Sequence, residues 1–153
     1  MGQKLDNYDK KILQILQEDG SISNLELAHQ IGLAQSSCLL RTKSLRERGV
    51  IAKTTIIVDE KKTGNVMMAL MEVRLGNPKY FDGFAEAIQE MNEIVSCYYQ
   101  TGDFDLMLKI SCRDSEALEQ LHRQVMSLEG VKDTRTHVVL KTVKNIYSAI
   151  PKP

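Results

Sequence analysis

Ser23-Asn24-Leu25-Glu26-Leu27-Ala28-His29-Gln30-Ile31, then Gly32-Leu33-Ala34, then Gln35-Ser36-Ser37-Cys38-Leu39-Leu40-Arg41 is the stretch that decides how this chain begins to fold. Ser23 and Glu26 stand at capping-box spacing, where each side chain satisfies the other's backbone N–H at a helix start. Leu25, Leu27, Ala28 and Ile31 give that helix an apolar face, and Gly32 supplies a left-handed stop. A second helix restarts at Gln35 and runs to about Arg48, with Cys38 and Leu45 inward and Gly49 closing it. Upstream, Ile12, Leu13, Ile15 and Leu16 recur at helical spacing between Asp6 and Glu18, and Asp19-Gly20 ends that run. Three short helices with a turn of few residues before the last form the helix-turn-helix plan. Downstream, Val50-Ile51 and the β-branched run Thr54 to Val58 predict a strand pair, a small wing. A winged helix-turn-helix is therefore expected over residues 1–58.

The polar run Asp59 to Gly64 predicts a hinge over 59–65 and a second domain over 66–153. Met67, Ala69, Met71, Val73 and Leu75 alternate as in a strand that Gly76-Asn77-Pro78 ends. Phe81, Phe84, Ala85, Ile88 and Met91 mark a helix, and Ile94 to Gln100 a strand. After the Gly102-Asp103 turn, Phe104, Leu106, Leu108 and Ile110 share one face of a strand ending at Cys112. Leu118, Leu121, Val125 and Leu128 mark a helix stopped by Gly130, and Val131 to Leu140 is the last strand. The order β-α-β-β-α-β is that of the ferredoxin-like fold, so the whole chain is α+β. Val66, Met68 and Leu70 are as apolar as Met67, Ala69 and Met71 on the opposite face. A sheet with helices on one side only needs a cover on the other, and a second copy of the sheet is the simplest one. The chain's own tail from Lys141 is the competing cover.

Composition excludes several classes. The 153 residues are 42% hydrophobic and 26% charged, as in ordinary globular proteins. No apolar run approaches the roughly 18–20 residues of a membrane-spanning helix. The opening Met-Gly-Gln-Lys-Leu-Asp is too polar for a signal peptide. Cys38, Cys97 and Cys112 are far apart and odd in number, and read as buried reduced thiols of a cytoplasmic protein, with no metal site. The 20 Lys+Arg cancel the 20 Asp+Glu, which taken as a sum argues against a nucleic-acid partner. The distribution of the charges points the other way. Between residues 34 and 53, Arg41, Lys43, Arg46, Arg48 and Lys53 face the single Glu47, a net +4. A solvated basic helix face is the bland reading of this cluster, but the capped helix, tight turn and wing make it the DNA-facing helix. Gln35, Ser36 and Ser37 in its first turn are placed for base edges or phosphates, and Arg41, Lys43 and Arg46 supply cations, Arg41 with a fork suited to guanine or phosphate.

These residues resemble a known family. Leu5-Asp6-x-x-Asp9-x-x-Ile12-Leu13-x-x-Leu16-Gln17, Ser23-Asn24-x-Glu26-Leu27-Ala28 and Gly32-Leu33…Cys38-Leu39-x-Arg41…Leu45…Gly49-Val50-Ile51 are similar to the start of Lrp/AsnC (feast/famine) regulators. Thr101-Gly102-Asp103-Phe104-Asp105 and Gly130-Val131-x-Asp133-Thr134-x-Thr136 resemble that family's effector domain. The resemblance implies a transcription regulator, associated with the nucleoid, that binds double-stranded DNA. It also implies dimers that assemble into octamers or similar rings, and an amino acid bound between dimers as effector, with no other cofactor. It places the effector on Gly102, Asp103 and Asp105 in the loop, Tyr99 before it, and Thr134, Thr136, His137 and Val138 on the last strand. Four positions depart from the family's pattern: Ala34-Gln35 replaces Ser-Pro, Leu40 a charged residue and Thr42 an aliphatic one. They put the operator sequence in doubt and leave the domain type intact.

Chemistry supports the loop independently, because an amino acid needs acceptors for its ammonium and donors for its carboxylate. Asp103 and Asp105 offer the first, and the Gly102 backbone and Thr hydroxyls the second. The plain alternative is an acidic turn between strands. An enzyme is not expected. Of the possible bases His29, His122 and His137, the two on helices, His29 and His122, have no companion at ligand spacing, and no nucleophile-and-base pattern or phosphate-cradling loop is present. The remaining rival is an architectural, nucleoid-type DNA-wrapping protein without an effector, which would use the same domains.

Overall fold

Two carboxylates open the first helix by capping each other. Asp6 Oδ1 accepts from the Asp9 N–H at 2.8 Å and Asp9 Oδ2 accepts from the Asp6 N–H at 3.3 Å, starting α1 (Asn7–Glu18). The structure, a computed structural model, describes residues 4–149 and 151. Helix α2 (Asn24–Ile31) starts at Ser23, whose Oγ accepts from the Glu26 N–H at 3.1 Å. The reciprocal half of the expected box is not made, and Glu26 accepts instead from Gln30 Nε2 at 3.3 Å. Gly32 ends α2 in the left-handed conformation, and α3 spans Gln35–Glu47. Ile12, Leu13, Leu27, Ala28, Ile31, Cys38 and Leu45 form the core of these helices. Leu25 was expected on that face, yet it is 63% exposed, because the apolar stripe of so short a helix is filled by Leu27, Ala28 and Ile31.

The expected wing is not a strand pair. Residues 50–58 form no strand, and Ile56, Ile57 and Val58 are exposed. The reason lies at the end of α3, where the N–H groups of Val50 and Ile51 both donate to the Leu45 carbonyl, at 2.9 and 3.1 Å. That leaves too little free backbone between Gly49 and Thr54 to form the first strand of a pair.

The ferredoxin-like order is present as expected. It runs β1 (Met67–Leu75), α4 (Phe81–Ala87), β2 (Ile94–Tyr99), β3 (Leu106–Cys112), α5 (Ser115–Ser127) and β4 (Val131–Val138). Short 3-10 turns at Pro78–Tyr80 and Ile88–Glu90 flank α4. The sheet has spatial order β2-β3-β1-β4, antiparallel throughout, and Met71 stands opposite both Leu108 and Thr136. Ala69, Met71, Val73, Leu106, Leu108 and Ile110 pack with Phe84 of α4, with Ile88 just after it, and with Leu121 and Val125 of α5. Phe104 departs from the expected face. The ladder starts only at Leu106, and Phe104 leaves that core to lie between the guanidinium groups of Arg74 and Arg135, each 4.7 Å from its ring centre. Cys38 and Cys112 are buried thiols as expected, with burial pushing both pKa values up, whereas Cys97 is exposed on β2.

Gly130 is required at the entry to β4. Its φ is +84°, its carbonyl accepts from the Gly76 N–H at 2.8 Å, and a Cβ there would collide with the Tyr80 ring. The chain divides into two compact units, one of residues up to Ile57 joined by those from Lys144 onward, the other Val58–Val143. The expected second domain ran on to residue 153, but the described tail groups with the first unit, where Gln17 Nε2 donates to Ser148 Oγ at 2.6 Å.

Candidate functional site

In the first unit, Cys38, Thr42 and Leu45 turn one side of α3 inward. Thr42, too polar for a bare core position, returns its hydroxyl to the Cys38 carbonyl at 2.9 Å. Helical phase then presents Ser36, Leu40 and Lys43 on the opposite side, flanked by Gln35, Leu39 and Arg46, all exposed. Ser37 is exposed beside them. Ala34 makes no side-chain cap, so the first-turn N–H groups of α3 have no side-chain acceptor there. Asn24 Nδ2 donates to the Gln35 carbonyl at 3.0 Å and fixes the start of α3 to that of α2. Lys43 lies 3.7 Å from Glu47 in an exposed pair, while Arg46 has no ion-pair partner among the described residues.

Arg41 is placed differently. Its Nη1 donates to Asp6 Oδ2 at 2.7 Å and to Asp9 Oδ1 at 2.9 Å, and its guanidinium lies 5.3 Å from the Tyr8 ring centre. The sequence suggested a fork free for DNA, and the structure turns it to α1. The Asp9 N–H and then Arg41 hold the Asp6 carboxyl below its ordinary pKa.

In the second unit, Gly102 takes φ +125°, which lets the loop from Thr101 to Asp105 turn back on the sheet. Asp105 is tied down three ways. Its Oδ2 accepts from the Leu75 N–H at 2.7 Å, its own N–H donates to the Val73 carbonyl at 3.0 Å, and its carbonyl accepts from the Gln100 N–H at 2.9 Å. The Asp103 carbonyl accepts from Arg74 Nε at 2.7 Å, leaving its exposed carboxylate outside. Beside this loop opens a cleft of about 400 Å³ lined by Leu75, Pro78, Phe81, Asp82, Tyr99 and Asp105. Phe81 and Tyr99 meet edge to face there, their ring centres 5.2 Å apart.

Of the effector residues expected from sequence, Tyr99 and Asp105 line this cleft and Gly102 and Asp103 shape its loop. The β4 residues do not share one surface, because strand alternation separates them. Thr134 faces α5, its Oγ1 3.0 Å from His122 Nε2 and 3.4 Å from Met126 Sδ. Thr136 and Val138 stand on that same side, opposite Met71 and Ala69, and the Thr136 hydroxyl is buried with no partner among the described residues. His137 lies on the other face, 3.5 Å from Glu72 Oε2, an oxygen that Arg135 also approaches at 3.6 Å. Leu75, Pro78, Phe81 and Asp82 escaped the sequence reading. The Asn77-Pro78 signal marked only a turn, and nothing in the pattern shows that this turn folds beside Tyr99. Among the described residues there is no group of three or more His, Cys, Asp and Glu able to hold a metal, and no helix long and apolar enough to cross a membrane.

Two family models match the chain: a winged helix-turn-helix DNA-binding model over residues 5–52 and the Lrp/AsnC ligand binding domain over residues 67–148. The transcriptional regulator AzlB of Bacillus subtilis is 42% identical over 97% of this chain and 96% of its own. The leucine-responsive regulatory protein of Escherichia coli is 38% identical over 94% of this chain and 89% of its own. Among solved structures, a Neisseria meningitidis transcriptional regulator in complex with L-methionine superposes with TM-score 0.91 at 30% identity, covering 95% and 96% of the two chains. A feast or famine regulatory protein of M. tuberculosis complexed with L-methionine gives TM-score 0.88 at 26% identity, covering 97% of this chain and 100% of the other.

Proposed function

The chain belongs to the Lrp/AsnC family of transcriptional regulators, and from that premise we propose how its two units divide the work. Helix α3 enters the major groove with Gln35, Ser36 and Ser37 toward bases and phosphates, and Lys43 and Arg46 toward the backbone. The second unit binds an amino acid. The observation that carries this half is the cleft beside the Gly102 loop, where Leu75, Pro78, Phe81 and Tyr99 offer an apolar seat and the Asp82 carboxylate an acceptor for an ammonium. A side chain like that of methionine, held by two structural relatives, suits that seat.

The half-buried Met68, Leu70 and Met107 on the sheet face away from the helices support a face-to-face dimer, the unit of a larger ring. The effector then acts between dimers by changing assembly or DNA affinity, in a cytoplasmic protein with no catalysis of its own. A thermal-shift screen of the common amino acids tests the effector half directly. An apolar amino acid is expected to raise the melting temperature by linkage. No shift with any of them, in a protein that still binds duplex DNA, would overturn the effector half and leave an architectural DNA-wrapping role.

A further inference from the structure

We propose that Arg41 is a positioning residue for DNA recognition, holding α3 against the start of α1 rather than reading DNA itself. It stands on the flank of α3, about 130° around from the outward line of Ser36, Leu40 and Lys43. Both of its hydrogen bonds run from one nitrogen, Nη1, to carboxylates some thirty residues earlier, at 2.7 Å to Asp6 and 2.9 Å to Asp9. Those same carboxylates form the reciprocal cap of α1. The cap is thereby a three-membered cluster, and its hub is buried: the Asp9 side chain is only 8% exposed. An ionised carboxylate at that depth is retained only when it is paired and hydrogen-bonded. Arg41 supplies that pairing at close range, and Arg48 Nη1, at 3.9 Å from Asp9 Oδ2, adds a second cation from the residue that caps the end of the helix.

The contacts place α3 at two points along its length, Arg41 near the middle and Arg48 at the end. Asn24 holds the first turn through the Gln35 carbonyl. The side of the helix left unanchored is the one that carries Ser36, Leu40 and Lys43. Taking Arg41 to DNA would leave the buried Asp9 charge without its close partner, a costly exchange. The cluster is therefore a fixed mount for the reading surface.

The experiment compares the full-length wild type with Arg41→Gln and Asp6→Asn. Asn caps a helix as well as Asp, so Asp6→Asn removes the Arg41–Asp6 charge pair while keeping the cap of α1. Each protein is titrated, at a temperature where circular dichroism shows it fully folded, with a duplex selected by the wild type from a random-sequence pool and with a scrambled duplex. Salt is varied in both series. The expected result is that both variants lose about tenfold in affinity for the selected duplex, the lower end of what one base contact is worth. Affinity for the scrambled duplex, and the slope of log affinity against log salt, stay as in the wild type. A direct phosphate contact predicts otherwise: Arg41→Gln would flatten the slope by about one unit, and Asp6→Asn, by freeing a cation, would tighten binding. Either of those results overturns the proposal. So does a lower melting temperature with unchanged affinity for both duplexes, which would make the cluster a stabilising pair and nothing more.

Discussion

Asp105 and Asp82 line the same cleft with opposite degrees of freedom. The first has its Oδ2 committed to the Leu75 N–H, while the second sits exposed in the first turn of α4. Asp105→Ala leaves that partly buried N–H without an acceptor and should cost about 1–3 kcal/mol in a urea titration. Asp82→Asn should leave the urea midpoint unchanged and weaken the effector identified by the thermal-shift screen, as read by calorimetry. Gly130→Ala carries both a positive φ and a clash with Tyr80, and should cost about 1–3 kcal/mol or more by the same titration. At this scale the sequence is informative about which residue types matter and uninformative about their partners. The turn at Gly102 was legible, but the grip of Leu75 on Asp105 joins residues 30 apart and leaves no local pattern. Arg41 is the sharper case, since its type suits phosphate and carboxylate equally, and only the position of Asp9 decides between them.

Helix ends, by contrast, are local, because a cap is satisfied within a few residues of itself, and Ser23 was legible for that reason. Asp6, Ser23 and Asp114 each accept from an N–H three positions on. Ala34 is the exception, and Ala34→Ser should raise stability by about 1 kcal/mol, seen as a higher melting temperature, by giving α3 the acceptor it lacks. The caps also set the acid limit. Backbone N–H donors, Asp9 for Asp6 and Ala117 for Asp114, are the leading cause that holds both carboxyls below their ordinary pKa. A carboxyl depressed in the folded state stabilises fully above its unfolded pKa of about 4 and stops doing so as pH falls through the lower folded value. The melting temperature should therefore hold down to about pH 5 and drop below about pH 4, less steeply in Asp114→Asn. Where the expected elements failed, another group had claimed the residue first. Val50 and Ile51 have strand propensity, yet the end of α3 claims their N–H groups. Phe104 has the alternation of a strand residue, yet two arginines from neighbouring strands draw it out.

At the scale of the whole molecule, the alternation of β1 predicted a sheet apolar on both sides, and the helices cover only the side of Ala69, Met71 and Val73. Leu70, paired across the ladder with Lys109 and His137, sits on the other. Leu70→Lys should shift sedimentation toward monomer without unfolding the protein, and a variant that sediments like the wild type would argue against that face as the dimer contact. The tail shows what periodicity does not reveal, because residues 144–149 carry no amphipathic signal and yet group with the first unit through Gln17 and Ser148. That path has a consequence for synthesis. On the ribosome, α1, α2 and α3 emerge early and can collapse on their own core, but the hydrogen bonds from Gln17 must wait until every strand of the sheet has been made. The unit that starts first finishes last, so a nascent chain stalled within the sheet would display a DNA-reading module still missing its final fastening.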